Sequence, residues 1–154
     1  ERDRGLYEED VYLKQFQELD PQDAEDIEKV IKGSGQTIRK RPYADTWVKY
    51  LKSKGYHVYI LSNYSSYMLD HTKKELTFRR EMDGEVFSCY ANQLKPDAEI
   101  YQTILNKYQL KPEECVFIDD RPENCRGAQE QGIHTICFKD FKQVTADLEK
   151  LGVK

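Results

Sequence analysis

Two adjacent aspartates, Asp119 and Asp120, directly follow the short apolar run 116–118. Ligands of open parallel sheets bind beyond the carboxyl ends of the strands, so acids at such an end are placed for chemistry. Mg²⁺ prefers oxygen ligands and keeps coordination positions for water and phosphate. The pair therefore predicts a magnesium site that takes part in phosphate chemistry. Helix capping is the structural alternative, and it accounts for only one of the two acids.

Two other predicted strand ends also carry polar groups. Ser62 and Asn63 follow an apolar run, where a hydroxyl and the N–H groups of the next helix could hold a phosphate, with an ordinary cap and turn as the alternative. Lys95 precedes Pro96, which keeps the lysine out of a helix and fixes its direction. A lysine at a helix N-terminus opposes the helix dipole, so an anion in front of it would resolve the conflict. The alternative is a solvated lysine.

The apolar pattern predicts the elements that position these residues. Residues 1–40 favour two amphipathic helices, separated at Asp20-Pro21, with a flexible joint at residues 33–35. From residue 41 onward helix and strand alternate, with Pro42 and Pro96 as first helical residues. Strands are predicted at residues 56–61, 86–88, 115–118 and 133–138.

Strict alternation of helix and strand is typical of parallel strands with helices on both faces. The predicted fold class is therefore α/β, with a Rossmann-like doubly wound parallel sheet in residues 41–154 and a small helical segment in residues 1–40.

Composition excludes several classes of function. The net charge is −4, which gives no electrostatic argument for binding nucleic acid or an anionic membrane. No apolar run approaches the roughly 20 residues of a membrane span, and the first residues do not resemble a signal peptide. The four cysteines form no C-x-x-C pair, so we expect buried free thiols rather than zinc, and a cytoplasmic protein.

Together, the order Ser62, Lys95, Asp119-Asp120 resembles motifs II, III and IV of the haloacid dehalogenase superfamily. The resemblance covers about residues 42–138, and it is carried by Ile60-Leu61-Ser62-Asn63, by residues 94–101 and by residues 117–124 followed by Gly127-Ala128. The Asp-Asp-x-x-x-Asn form is similar to the subgroup with an α-helical cap that holds glucose-1-phosphate phosphatase and the phosphatase domain of epoxide hydrolases. Residues 1–40 look like the tail of that cap.

The resemblance implies a role for each site residue. Ser62 and Lys95 would hold the transferring phosphoryl group, and Asn63 would position groups near it. Asp120 would ligate Mg²⁺ directly, and Asp119 would ligate the ion or orient a bound water. Asn124 would support that loop.

The family's reaction also needs a nucleophilic Asp with a second Asp two positions later, and the sequence contains no Asp-x-Asp. In this fold those residues lie on a central strand between the strands of Ser62 and Asp119, and a sheet without that strand has exposed edges. We therefore expect a further N-terminal segment in the natural protein, with a strand from another chain or a rebuilt pseudoenzyme as alternatives. Asn92 stands where the family usually has Gly, and Asn tolerates the positive φ of that turn.

The expected function is that of a Mg²⁺-dependent phosphatase that works through an aspartyl-phosphate on a small phosphorylated metabolite, with sugar phosphates suggested by the subgroup. The alternative is a non-catalytic binding or scaffolding protein of the same fold, which the missing nucleophile favours. Two further classes fit less well. Dehalogenation of a small halo-acid would leave the aspartate pair without a role. A response-regulator receiver would carry its acidic pair near the start of the domain, whereas here the pair comes late in the chain.

Overall fold

The computed structural model describes residues 2–153, which form helices and short parallel strands joined in part by 3-10 turns. The helices are α1 (Glu9–Leu19), α2 (Ala24–Gly33), α3 (Ala44–Ser53), α4 (Ser66–His71), α5 (Ser88–Ala91), α6 (Ala98–Tyr108), α7 (Pro122–Glu130) and α8 (Phe141–Lys150). The strands are β1 (Tyr59–Ser62), β2 (Gly84–Phe87), β3 (Val116–Asp119) and β4 (His134–Cys137). Among these residues, no helix is long and apolar enough to cross a bilayer.

The strands pair in parallel, as the alternation predicts. β1 pairs with β2, so that Ser62 lies opposite Phe87, and β3 pairs with β4, so that Asp119 lies opposite Cys137. Within residues 2–153 the two pairs form separate sheets, and β1 and β3 are not hydrogen-bonded to each other. A further strand between the strand of Ser62 and the strand of Asp119 remains a prediction.

Helices cover both faces of the strand pairs. On one face a shared core joins the two pairs, because Leu61 of β1 and Phe117 of β3 both pack against the buried residues of α6 and α7. On the other face Ile60 packs with Leu69 of α4, while Ile118 packs in a cluster with α8. The arrangement is the predicted α/β fold with helices on two sides.

Three predictions about local structure need correction. At the predicted joint, residues 33–35, Gly33 ends α2 and a packed 3-10 turn, Ser34–Thr37, follows. The Ser34 hydroxyl donates to the Ile31 carbonyl at 2.7 Å and contacts the Met68 sulfur at 3.3 Å, so the joint is held in place. Helix α3 begins at Ala44 rather than Pro42, because the Ala44 N–H bonds the Arg41 carbonyl at 3.0 Å and closes a turn with Pro42 inside it.

The third correction concerns α6, which begins at Ala98 rather than at Pro96. The Asp97 N–H bonds the Leu94 carbonyl at 2.9 Å and closes a turn around the cis Lys95–Pro96 peptide bond. Lys95 therefore lies in a turn ahead of the helix and not in its first turn. The turn at Asn92 is confirmed, since this residue is left-handed with φ 55° and ψ 30°.

The first described residues contact the second part of the chain. The Ser88 hydroxyl donates to the Asp3 carbonyl, and the Asn92 side chain donates to the Arg4 carbonyl at 2.9 Å. Gly5 has φ 69°, and a Cβ there would lie 2.3 Å from the Cys89 carbonyl oxygen. The two predicted helices of the first part are confirmed as α1 and α2, whereas the division at residue 40 remains a prediction.

Candidate active site

The carboxyl ends of β1 and β3 and the Lys95 turn meet around a cavity of about 630 Å³. All six residues predicted for the site line it: Ser62, Asn63, Lys95, Asp119, Asp120 and Asn124. The structure therefore brings together three sequence segments that are far apart along the chain.

Lys95 lies at the centre of this arrangement and is only 9% exposed. Its Nζ is 2.6 Å from Oδ2 of Asp119 and 3.0 Å from the Leu61 carbonyl oxygen, and it lies 5.3 Å from the centre of the Phe117 ring. Charge-assisted hydrogen bonds of this kind are what allows a buried ammonium. The expectation that Lys95 opposes a helix dipole is wrong, because Lys95 precedes the helix. The anion that faces its ammonium is the Asp119 carboxylate.

Asn63 holds Lys95 in place through its side-chain amide. Its Nδ2 donates to the Lys95 carbonyl at 2.9 Å, and its Oδ1 accepts from the Lys95 N–H at 2.9 Å. Both ends of the amide are therefore engaged with one backbone, which fixes the direction in which the lysine leaves the turn. This geometry supports a positioning role for Asn63 rather than a direct phosphate contact by its side chain.

The Asp119 carboxylate is nearly buried and accepts hydrogen bonds on both oxygens. Oδ2 faces Lys95, while Oδ1 accepts from the Arg121 N–H at 2.9 Å and from Nδ2 of Asn124 at 2.9 Å. Asn124 is itself only 4% exposed, and its carbonyl accepts from the Tyr101 hydroxyl at 2.7 Å. The bond from Asn124 to Asp119 is consistent with the supporting role that the resemblance implies for Asn124.

Asp120 differs from its neighbour because it is exposed at the bend after β3. Its carboxylate is accessible to a cation, while that of Asp119 is oriented by protein donors. Across residues 2–153 no cluster of three or more His, Cys, Asp and Glu side chains could hold a metal ion. Two carboxylates fit the oxygen chemistry of Mg²⁺, and waters and phosphate commonly complete such a shell.

Sequence reasoning missed several residues around the site. Asp3 lines the cavity, although the resemblance placed it in the cap and gave it no role in the site. Tyr101 is fully buried beneath Asn124, and burial raises the pKa of its hydroxyl. Gly127 lets α7 approach the Lys95 turn, since a Cβ there would lie 2.5 Å from the Pro96 carbonyl oxygen. Two of these residues carried a signal: Tyr101 ends the quoted segment 94–101, and Gly127 belongs to the Gly-Ala pair after the aspartate motif.

Two thiols also contact this loop. Cys125 donates to the Asp119 carbonyl at 3.4 Å, and the Cys137 sulfur lies 4.0 Å from the Asp120 carbonyl. Burial raises the pKa of Cys125 to about 11, and the nearby Cys137 thiol adds to the rise. All four cysteines are free; Cys89 and Cys125 are buried as predicted, whereas the prediction is wrong for Cys115 and Cys137, which are partly exposed.

Comparison with known proteins identifies the class. The model of the haloacid dehalogenase-like hydrolase family matches residues 4–132, and the chain belongs to that family. Its fold is shared with a family enzyme of Bacteroides thetaiotaomicron that was crystallised with magnesium and inorganic phosphate. That similarity has a TM-score of 0.76 at 22% identity, over 93% of this chain and 76% of the other.

Curated relatives include phosphatases and other hydrolases. The chain is 39% identical over 66 residues to flavin mononucleotide hydrolase 1 of Arabidopsis thaliana. The aligned region covers 43% of this chain and 27% of that protein. It is 30% identical over 107 residues to bifunctional epoxide hydrolase 2 of Rattus norvegicus. This aligned region covers 66% of this chain and 19% of that protein. The chain therefore spans about a quarter or less of the length of these two relatives.

Proposed function

We propose that this chain carries the phosphate- and metal-binding side of a Mg²⁺-dependent phosphatase, which hydrolyses a small phosphorylated metabolite through an aspartyl-phosphate. The buried Lys95 carries the proposal, because its ammonium is held between β1 and Asp119 at the cavity that Ser62 and Asp120 also line. A fixed cation at a strand end is well placed to stabilise charge on a transferring phosphoryl group.

The roles of the other residues follow from their positions. Ser62 would donate its hydroxyl to the phosphoryl oxygens, and Asn63 would keep Lys95 directed at them. Asp120 would ligate Mg²⁺ directly, whereas Asp119, with protein donors on both oxygens, would ligate the ion or orient one of its waters. Magnesium would supply positive charge for the phosphoryl oxygens.

A nucleophile is needed in addition, and we propose that it lies on a further strand between β1 and β3. Within residues 2–153 these two strands are not paired to each other, and their adjoining edges line the same cavity. A strand that bonds to both would leave no open edge there. Its carboxyl end would reach the cavity beside Lys95, where the family's reaction needs an aspartate. An N-terminal segment of the natural protein is our first expectation for it.

The names of relatives support phosphate ester hydrolysis. Flavin mononucleotide hydrolase 1 acts on a phosphate monoester by its name, and a relative from Aspergillus oryzae, 28% identical over 102 residues, is a sesquiterpene phosphatase. These names differ in substrate, so the substrate of this chain stays open to a screen. Sugar phosphates are the class that we would test first.

The test is turnover of a phosphomonoester panel by the full-length protein, with Mg²⁺ and with a chelator. Asp120→Asn is expected to abolish Mg²⁺-dependent release of inorganic phosphate without loss of folded structure, because the side chain is exposed. Asp70→Asn, which changes an exposed carboxylate of α4 paired with Lys73, is the matched control and is expected to keep full turnover. Unchanged turnover in Asp120→Asn would refute the metal role.

The second candidate is a binding protein of the same fold, which the absence of Asp-x-Asp from the sequence favours. It predicts that the full-length protein binds inorganic phosphate or Mg²⁺ but hydrolyses no ester. Halide release from a 2-haloacid without metal would point instead to the dehalogenase branch, which is also represented among the relatives.

The expected location is the cytoplasm, as the free thiols favour a reducing compartment. Cell fractionation would test it.

A further inference from the structure

The two thiols beside the Asp119-Asp120 loop come from different elements and reach the same backbone. Cys125 lies in α7 and is 7% exposed, while Cys137 is the last residue of β4 and is partly exposed. The β3–β4 register places Cys137 directly opposite Asp119. The side chains therefore approach the loop from a helix on one side and from the neighbouring strand on the other.

The hydrogen bonds of this loop place the two thiols at neighbouring backbone carbonyls. The Asp119 carbonyl accepts both the Cys125 thiol at 3.4 Å and the N–H of Phe138 at 2.9 Å. Phe138 directly follows Cys137, and the Cys137 sulfur lies 4.0 Å from the next carbonyl, that of Asp120. The two thiols therefore lie at neighbouring carbonyls, those of both candidate metal ligands, and the proposed hydrolysis uses neither of them.

We propose that Cys125 and Cys137 form an oxidisable dithiol, which hydrogen peroxide closes to a disulfide, and that this disulfide weakens metal binding at Asp119 and Asp120. The second half of this inference rests on the proposed function. The first half concerns the cysteines alone and can be measured independently.

The chemistry balances with one peroxide. The partly exposed Cys137 sulfur bonds to one peroxide oxygen, the O–O bond breaks, and one water leaves behind a sulfenic acid. The Cys125 sulfur then attacks the Cys137 sulfur, the S–O bond breaks, and a second water leaves with the thiol proton. Two thiols lose two electrons, and the peroxide that gains them becomes two waters. A small dithiol reductant such as dithiothreitol reverses the step.

The disulfide changes the support of the metal ligands. An S–S bond of about 2.05 Å requires the two sulfurs to leave their positions at the neighbouring carbonyls and come together. Cys125 then loses the S–H that it donates to the Asp119 carbonyl. Its chain neighbour Asn124 holds Oδ1 of Asp119, so a shift of Cys125 also disturbs that bond. Loss of such support around a ligand typically weakens metal binding by about 10–100-fold.

The disulfide is tested by peptide mapping of the full-length protein after peroxide treatment and alkylation. Trypsin leaves peptides 108–126 and 127–139, because proline follows Lys111 and Arg121. We expect these peptides to be linked, with a loss of about 2 Da for the two hydrogens. The link is expected to persist in Cys115→Ser, the matched control on the first peptide, and to be absent in Cys137→Ser. Further oxidation of Cys137 without a link, or a link through Cys115, would overturn the inference.

The metal half is tested by titrating Mg²⁺ into reduced and oxidised protein by calorimetry. We expect about 10–100-fold weaker binding after oxidation, restored by dithiothreitol, with Cys115→Ser behaving like the natural protein. Equal affinity in the two states would overturn the regulatory half. If the reduced protein binds no Mg²⁺, the proposed function and the regulatory half both fail, whereas the peptide map still decides whether the disulfide forms.

Discussion

Replacing Lys95 by Met removes the cation that faces the buried Asp119 carboxylate. The two side chains are 7% and 8% exposed and lie 2.6 Å apart. Met keeps an apolar side chain over the Phe117 ring, so the main loss is the charge. Removal of one partner of a buried pair costs about 3–5 kcal/mol, because an uncompensated charge stays buried. We expect Lys95→Met to lower the free energy of unfolding at neutral pH by that amount.

Urea unfolding of the full-length protein, followed by circular dichroism, measures this loss. Lys107→Met is a matched control, because Nζ of Lys107 also lies 5.3 Å from a ring, that of Tyr108, and 3.2 Å from a strand carbonyl, that of Glu85. Lys107 is exposed, and the carboxylate whose pKa it helps to lower, that of Glu85, is only half-buried. Its replacement should cost less than about 1 kcal/mol.

A double-mutant cycle with Asp119→Asn separates the ion pair from other effects. Each single variant leaves one buried charge without its partner, whereas the double variant leaves two neutral side chains. We therefore expect the double variant to be more stable than the sum of the single losses predicts, by about 2 kcal/mol or more. Additive losses, or a Lys95→Met loss no larger than that of Lys107→Met, would refute the argument that this pair organises the site.

Two further predictions use the same unfolding assay. Gly127→Ala should destabilise the fold by about 1–3 kcal/mol, because its Cβ would lie 2.5 Å from the Pro96 carbonyl oxygen. The control is Gly33→Ala, whose Cβ meets no atom within 4 Å and which should be close to neutral. Equal effects of the two substitutions would contradict the packing argument. The hydrogen-bonded Arg79 lowers the pKa of Glu85 below its ordinary 4.5. The pair therefore stabilises the folded state fully at pH values above 4.5, and this contribution is lost as the pH falls through the lowered pKa. The stability difference between the natural protein and Arg79→Met, under about 1 kcal/mol, should therefore shrink in acid; a constant difference would contradict it.

The sequence predicted the site best where chain geometry alone determines a residue's position. Ser62 and Asp119 end apolar strands, and parallel strands bring their carboxyl ends to one edge of a sheet. Asn92 was predicted to take a left-handed turn, because few residues tolerate positive φ, and it does so. The positions of Ser62 and Asp119 needed only the parallel arrangement, whereas the turn at Asn92 was expected because the resembled family usually has Gly there.

Contacts between distant segments could not be predicted in the same way. The Asn63 amide bonds the Lys95 backbone, and Cys125 and Cys137 both contact the Asp119-Asp120 loop, but neither pair has a spacing that marks it in the sequence. Proline also misled the prediction of helix starts, because Pro42 and Pro96 each lie in a hydrogen-bonded turn two residues before the helix. Which turn a proline enters depends on packing around it, and this information is not local.

The position of Lys95 connects the unpaired strands with the chemistry. Its side chain bonds the Leu61 carbonyl in β1 and Asp119 in β3, and its backbone is held by Asn63 just after β1. One buried residue thus ties the two strand pairs together at their carboxyl ends, where the cavity lies. A strand added between β1 and β3 would satisfy their edges and end at this cation. The strand that completes the fold and the residue that completes the reaction are therefore expected to arrive on the same segment.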